Sequence, residues 1–583
     1  MPPDAPPLRV LLLAHSFNSL TQRVFVELRA RGHVVSVELD IADAVSSEAV
    51  ALFSPDVIVA PFLKRRIAES VWRRCPCLIV HPGIVGDRGP AALDRAILRG
   101  ETHWGVTVLQ ATAEFDAGPV WAYAEFAMRD ATKGSLYRRE VTDAAVQAVL
   151  EALARWRRND PPPAPTVTGQ AWPPLPQAER AIDWATATTD SALRRLRSGD
   201  GHPGVADALF GAPCNLFDAH AATPAALASA PVGAPGAVVA RRGPALLRRT
   251  VDGGVWIGQV KTAPDARGLP ALKLPATQVF AAQAAALPEC PVALARADRA
   301  EWDELHYAEQ PTPDSSARIG LLRFDFHNGA MSTRQCERLR DALRHAKARD
   351  TQVLVLLAGA DFFSNGIHLN AIEAAAHAPG DSPADASLRN IEAMNDVVLE
   401  LLTATDRITV AALRGNAGAG GVFLALAADE VWAHGSVVLN PHYKSMGNLY
   451  GSEYWTYVLP RRVGAERARE ITQGRLPLGA AQAQALGLID HCLSADARDF
   501  ERETLLRAAA IATQNVAERI RAKQAQRAHD EATRPLADHR TAELTQMHRN
   551  FYGFDPSYHV ARYHFVRKLA HARTPRHLAL HRP

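Results

Sequence analysis

The sequence predicts a multidomain α/β protein, with an open Rossmann-like domain at the front, a small β-rich domain in the middle and a second strand–helix alternation behind them that ends in a helical tail. Three observations predict this. The chain has 583 residues, more than one hydrophobic core serves, so two or more domains are expected. Short apolar runs alternate with helical patterns over the first 150 residues and again after residue 316. Two proline-rich stretches, DPPPAP (Asp160–Pro165) and EQPTPDSS (Glu309–Ser316), read as linkers between these blocks. The expected domains are residues 1–160, 166–295 and 316–530, with the tail over 531–583.

Taken in order, RVLLLA (Arg9–Ala14) is a buried first strand. SFNSLTQR (Ser16–Arg23) follows it and opens a helix. Its free amides and Arg23 suit a phosphate, with Asn18 and Ser19 at the turn, while the plainer reading is a helix cap by Asn18 or Ser19. VVSVEL (Val34–Leu39), DVIVA (Asp56–Ala60) and CLIV (Cys77–Val80) are further strands, and helices between them predict a parallel sheet. From Val167 to Leu294 a short helix precedes Gly- and Pro-punctuated strands such as GAVVA and GGVWIGQV. Then come the strand IGLLRF, a helix through Gln335–Arg349, and the strands VLVLLA and RITVAAL. The last fifty residues are helical in pattern, with an aromatic and basic end from Phe551 to Arg573.

Composition excludes several classes. Lys and Arg number 65 against 62 Asp and Glu, a net charge of +3, which gives no reason to expect nucleic acid or an anionic membrane as partner. The six cysteines are scattered, and Cys75 and Cys77 lack the spacing of a metal hook, so a reduced cytoplasmic protein without a metal site is expected. Met1–Pro7 is proline-rich and Leu8–Ala14 is too short to span a bilayer, so neither a signal peptide nor a membrane anchor is expected.

The front block carries its chemistry in Val80–Ala122. The strand Cys77–Val80 delivers His81 at its carboxyl end, where open α/β sheets bind ligands. Asp116 precedes the Ala117-Gly118-Pro119 turn. A histidine and an aspartate meeting at a strand end suit acyl transfer, the imidazole stabilising an oxyanion or moving a proton and the carboxylate holding it. His81, Gly105-Val106-Thr107 and Asp116-Ala117-Gly118 resemble, in order and spacing, the motifs of folate-dependent formyltransferases. Arg180–Val205 is similar to the join leading to that family's small C-terminal, OB-like domain. The resemblance implies formyl-tetrahydrofolate as substrate and His81 and Asp116 as catalytic residues. It also marks a departure, because Ile79 stands where the family has a catalytic asparagine.

The back block carries two glycine turns, GADFFSNGIHL (Gly359–Leu369) and GNAGAGGVFLALAADEVWA (Gly415–Ala433). Two such turns facing each other would form an oxyanion hole. They resemble the crotonase (enoyl-CoA hydratase/isomerase) superfamily, as do VVLNPHYKSMG, LPRRVGAERAREIT and GLID. That resemblance implies a ββα spiral fold, coenzyme A thioester substrates, and hole amides at Asn365 and Gly420. The two hydratase glutamates are replaced by Phe423 and His442, so ordinary hydration is not expected. The segment His442–Arg462 supplies instead a carboxylate among tyrosines, with Tyr443 and Glu453 as the acid–base candidates. Arg562 and Arg567 of the tail are candidates for the CoA phosphates.

A formyltransferase-like block joined to a crotonase-like block resembles the HypX/HoxX hydrogenase maturation family, and NPHYKSMG and GSEYWTYVLPRRVG are similar to it. This implies transfer of formyl from formyl-tetrahydrofolate to CoA and release of carbon monoxide from formyl-CoA, for the iron of a [NiFe]-hydrogenase. Small-molecule substrates and the hydrogenase large subunit or other maturation proteins are the implied partners. An enzyme that makes formyl-CoA and releases formate, and a non-catalytic folate- or CoA-binding scaffold, stay open as alternatives.

Overall fold

The computed structural model describes residues 6–161, 166–264, 268, 271–493 and 499–582. Met1–Ala5 and Pro162–Pro165, four residues of the first expected linker, lie outside the described residues. The chain divides into two compact units: Met1–Pro264, Pro275–Cys290 and Ala570–Pro583 in one, and Asp265–Leu274 and Pro291–Leu569 in the other.

In the first unit, the strands β1 (Arg9–Ala14), β2 (Val34–Leu39), β3 (Val57–Ala60), β4 (Cys77–His81), β5 (His103–Gln110) and β6 (Val120–Ala127) make one sheet in the order β2-β1-β3-β4-β5-β6. The first four are parallel. Their apolar runs are mostly buried, with Leu11, Leu12, Val57 and Ile58 at 0% exposure, as a sheet covered on both faces requires. The sheet departs from the expected parallel form at β5 and β6, which pair antiparallel. The β5–β6 connection, residues 111–119, is too short for a crossover helix, so the chain turns straight back.

The middle of the chain forms an antiparallel sheet of Val205–Leu209, Ala212–Ala221, Gly254–Thr262, Ala245–Arg249 and Val238–Arg242, in that spatial order. Leu193 and Leu196 of the helix Thr189–Gly199 share its core with Leu216, Val255 and Ile257.

The end of the expected helical tail also belongs to this first unit. Helices Leu536–Tyr552 and Ser557–Arg567 form as expected, but beyond them residues 570–582 are not helical. They dock on β2, where the Val37 and Leu39 amides donate to the Leu578 carbonyl (2.9 Å) and the Thr574 hydroxyl (2.8 Å). Glu38, fully buried near the end of β2, needs countercharge, and Arg582 supplies it at 2.9 Å with His581 bonded at 2.7 Å.

The second unit has a main sheet ordered Leu305–Pro311, Arg318–Phe324, Val353–Ala358, Ile408–Leu413, Glu430–His434 and His491–Leu493. A smaller sheet takes Phe362–Ser364, Asn416–Gly418, Val438–Asn440 and Leu478–Gly479. Three times a main-sheet strand runs on into a small-sheet strand and then toward the next turn of the fold, which is the expected ββα spiral. The second expected linker is in part a strand: Glu309, Gln310 and Pro311 pair with Gly320, Ile319 and Arg318. Thr312 closes the hairpin, its amide donating to the Ala317 carbonyl and its hydroxyl to Asp314, so the prolines shape a turn. Ser332 and Gln335 cap the helix Thr333–Lys347 reciprocally. No helix among the described residues is long and apolar enough to cross a membrane.

Candidate functional site

In the first unit, β4 ends at His81, which is 5% exposed and paired in register with Thr107 of β5. Thr107 donates its hydroxyl to the Gly83 carbonyl at 2.9 Å and fixes the loop that follows. That loop returns Asp87, 3% exposed, to place its Oδ1 2.9 Å from His81 Nε2. Gly83 makes the approach possible, since a Cβ there would sit 2.5 Å from His81 Nε2 and 2.8 Å from Asp87 Oδ1. On the other side of the ring, Asp116 Oδ2 lies 3.7 Å from His81 Nδ1 and accepts from the Gly89 amide at 3.3 Å. Asp116 adopts φ +48°, in the region that disfavours side chains, so its turn is held in a costly conformation beside the imidazole.

The structure therefore brings His81 and Asp116 together and adds Asp87. Asp87 sits in a glycine-rich loop, where only its charge marks it in the sequence. An imidazole held between two carboxylates is fixed in place to move a proton and to donate to a developing oxyanion. Ile79, two residues back on the same strand face, packs apolar carbon against the core and supplies no donor.

The expected phosphate turn has other duties. Asn18 accepts from the Thr21 amide and hydroxyl, both at 3.0 Å, as the helix cap. Ser19 is the first residue of the helix, and Arg23 pairs with Glu27 at 2.8 Å. Two of the three side chains expected to hold a phosphate thus have protein partners already.

In the second unit, Glu453 lies against the Gly420 turn: a Cβ on Gly420 would fall 2.7 Å from Glu453 Oε1. The Tyr443 hydroxyl hydrogen-bonds Glu453 Oε2 and lies 2.9 Å from the Ser452 carbonyl. Glu453 is 1% exposed, and burial pushes its carboxyl up to about 8, against the opposing Tyr443 hydrogen bond and with help from the nearby Glu543 charge. Burial, with the facing carboxylate, likewise drives the Tyr443 phenol well above its usual value. Phe423, where hydratases carry a glutamate, is fully buried and stacks on Tyr443 with ring centroids 5.1 Å apart and planes 19° apart. His442 is also buried. A cavity of about 360 Å³ opens beside the Tyr443 ring, walled by Tyr450, Trp455, Thr456, Ala468 and Thr472.

Two expectations need correction. The Asn365 amide does not face an open hole; it donates to the Gly329 carbonyl at 2.7 Å. The turn at Asn328 and Gly329, with φ of +56° and +66°, swings that carbonyl onto it. The Gly366 amide is taken by the Ser364 hydroxyl at 3.0 Å. Gly420 opens its helix, where first-turn amides have no intrahelical acceptor, and it remains the hole candidate. Arg562 and Arg567 are not presented to solvent. Both side chains are about nine-tenths or more buried, with Arg562 Nε 3.0 Å and Arg567 Nη2 3.9 Å from the buried carboxylate of Glu373. They neutralise a charge that the helix Leu369–Ala374 carries into the interior.

Comparison with known proteins follows the division of the chain. A formyl transferase family model matches residues 37–153, and an enoyl-CoA hydratase/isomerase model matches residues 314–569. Over 580 residues the chain is 52% identical to the hydrogenase maturation factor HoxX of Bradyrhizobium diazoefficiens, covering 99% of this chain and 97% of that one. The crystal structure of HypX from Aquifex aeolicus in complex with tetrahydrofolic acid is similar at a TM-score of 0.92 and 44% identity, over 99% of each chain. A methionyl-tRNA formyltransferase of Variovorax paradoxus is 31% identical over 193 residues, 32% of this chain and 59% of that protein.

Proposed function

The chain belongs to the HypX/HoxX family of hydrogenase maturation factors, and from that premise we propose that it makes carbon monoxide in two steps. In the first, the CoA thiol attacks the formyl carbon of formyl-tetrahydrofolate, and formyl-CoA and tetrahydrofolate leave. His81, flanked by Asp87 and Asp116, stabilises the oxyanion and passes the thiol proton toward the departing nitrogen. The tetrahydrofolate complex of the Aquifex relative and the formyl transferase match support this step.

In the second step, the Glu453 carboxylate takes the proton of the formyl C–H bond. That electron pair becomes the carbon lone pair of CO, the C–S bond breaks, and the CoA thiolate recovers the proton from Glu453. The step neither oxidises nor reduces and consumes no water. The Gly420 amide would hold the thioester oxygen, and Tyr443 orients the carboxyl. One observation carries the reading: a buried carboxyl raised to about 8 stands beside the glycine turn, while both hydratase glutamate positions hold other residues. The CO is destined for a hydrogenase partner or another maturation protein.

The test supplies the purified protein with 13C-formyl-tetrahydrofolate and CoA and follows CO by haemoglobin binding. Labelled CO is expected in step with tetrahydrofolate formation. Labelled formate in its place would establish hydrolysis, and binding without turnover would establish a scaffold; either would sink the proposal.

A further inference from the structure

Residues 452–456 form an unusual turn. Glu453 and Tyr454 are consecutive non-glycine residues with φ of +62° and +55°, a conformation that persists only where the surroundings over-determine it. Two side chains from distant elements do so. Asn395, on the helix Pro383–Leu402, accepts from the Glu453 amide at 2.7 Å and from the Ser452 hydroxyl at 2.9 Å. Glu543, on the helix Leu536–Tyr552, collects the rest. Its Oε2 accepts from the Tyr454 amide at 2.9 Å, and its Oε1 accepts from the Thr456 amide at 2.9 Å and the Thr456 hydroxyl at 2.6 Å. The Ser452 hydroxyl lies 3.5 Å from Oε2. The Tyr454 and Thr456 amides can only donate, one to each oxygen, so the site calls for an acceptor on both oxygens, which only the carboxylate provides.

We infer that Glu543 is a positioning residue for Glu453: its carboxylate gathers donors of the 452–456 turn, holds that turn in its left-handed conformation, and so fixes the Glu453 carboxyl against the Gly420 turn. The inference rests on the reading of Glu453 as the proton acceptor. Glu543 has no place in the thioester chemistry itself, and its carboxylate is committed to the turn.

The same geometry puts two buried carboxyls near one another, and like charges resist joint ionisation. Glu543 is raised to about 7 and Glu453 to about 8, by burial first in each case. The Glu543 charge raises Glu453 further and so keeps it protonated longer. Other titratable groups face the pair. Tyr443, Tyr450 and Tyr454 come from the 443–455 segment, and each feels the Glu543 charge. His539 and Arg540 come from Glu543's own helix; the first contacts the Thr456 hydroxyl at 2.9 Å, and the second is committed to Asp396 at 2.7 Å. Cys336, from the helix Thr333–Lys347, is buried near Glu453. Among the charges around it, the Glu543 carboxylate is the one that opposes ionisation of Glu453.

Two substitutions separate charge from reach. Glu543→Gln keeps the reach and removes the charge, and Glu543→Asp keeps the charge and retracts it by one methylene. Each full-length variant is given formyl-CoA between pH 5.5 and 9, and CO release is followed. Separately, the carboxyl stretch of Glu453, assigned by its loss in Glu453→Gln, is titrated by infrared spectroscopy. In Glu543→Gln the Glu453 titration and the acid limb of the rate are expected to move down by about one pH unit, with the rate falling tenfold or more. In Glu543→Asp the rate is expected to fall by a similar factor while the limb stays within a few tenths of wild type. An unmoved Glu453 titration in the Gln variant overturns the inference, and so does a wild-type rate in the Asp variant. If the wild-type protein releases no CO, the reading of Glu453 as the acceptor falls, and the infrared titration still decides what Glu543 does to its neighbour. Should Glu543→Gln fail to fold, the Asp variant decides: a lowered rate on an unmoved limb supports the inference.

Discussion

Replacing Glu453 by Gln tests stability and chemistry together. In the folded protein the carboxyl sits at about 8, whereas an unfolded chain returns it to about its ordinary 4.5. The folded state therefore binds the proton more tightly. The stability this contributes is complete below about pH 4.5 and is lost as the pH rises through about 8. At about 1.4 kcal/mol per pH unit, the full loss amounts to about 3–5 kcal/mol. Gln keeps the shape but cannot ionise, so the variant should lack this share of the loss. Glu543 titrates nearby and imposes its own loss on both proteins, so the quantity to read is the difference between them. Urea denaturation from pH 5 to pH 9 measures it. The wild-type and variant curves should diverge by a few kcal/mol, with the variant the more stable at the alkaline end, while CO release from formyl-CoA drops by at least about 10²-fold. Parallel stability curves would refute the buried, protonated carboxyl, and CO release at the wild-type rate would refute its role as proton acceptor.

Other outcomes follow from the same structure. Asp87→Ala and His81→Ala should each cut formyl-CoA formation by about 10²-fold or more while leaving CO release from added formyl-CoA intact, as a coupled two-step assay would show. Arg562→Ala leaves the buried Glu373 carboxylate short of its nearest cation, and should destabilise the second unit by about 3–5 kcal/mol in a denaturant titration; adding Glu373→Gln should recover part of that loss.

Much of the fold was legible because its strands are short runs rich in apolar residues. Arg9–Ala14 and Val34–Leu39 begin and end where the sequence pattern places them. The antiparallel pair at the sheet edge was not legible, since β5 reads like any buried strand and the short connection to β6 is what turns the chain back. Within the sites, His81 and Asp116 stood out because strand-end chemistry leaves a spaced motif, and Glu453 because a lone acid among tyrosines is conspicuous. Asp87 and Glu543 escaped notice for a common reason. One sits in a glycine loop and the other on an ordinary charged helix, and each matters through a partner that folding brings to it. The Asn365 amide and the two arginines misled for the complementary reason. A backbone amide shows nothing in sequence of the carbonyl that will reach it, and a basic tail shows nothing of the buried Glu373 that will claim its guanidinium groups.

Phe423 ties these strands of argument to the choice of product. Formyl-CoA breaks down in two ways, through attack by water to give formate or through proton loss to give CO. A site that admits water favours the first and also solvates Glu453, returning its carboxyl toward the ordinary range. The raised carboxyl and the apolar wall are thus one condition seen twice, and Phe423, fully buried and stacked on Tyr443, is part of that wall. Phe423→Ala would open a cavity beside two polar groups, which is the kind of cavity that fills with water. It should cost about 3–5 kcal/mol of stability, lower the pH at which Glu453 titrates, and raise the ratio of formate to CO formed from 13C-formyl-CoA, read by NMR. If Phe423→Ala lowered the Glu453 titration and left that ratio unchanged, water exclusion would not be what directs the thioester to CO.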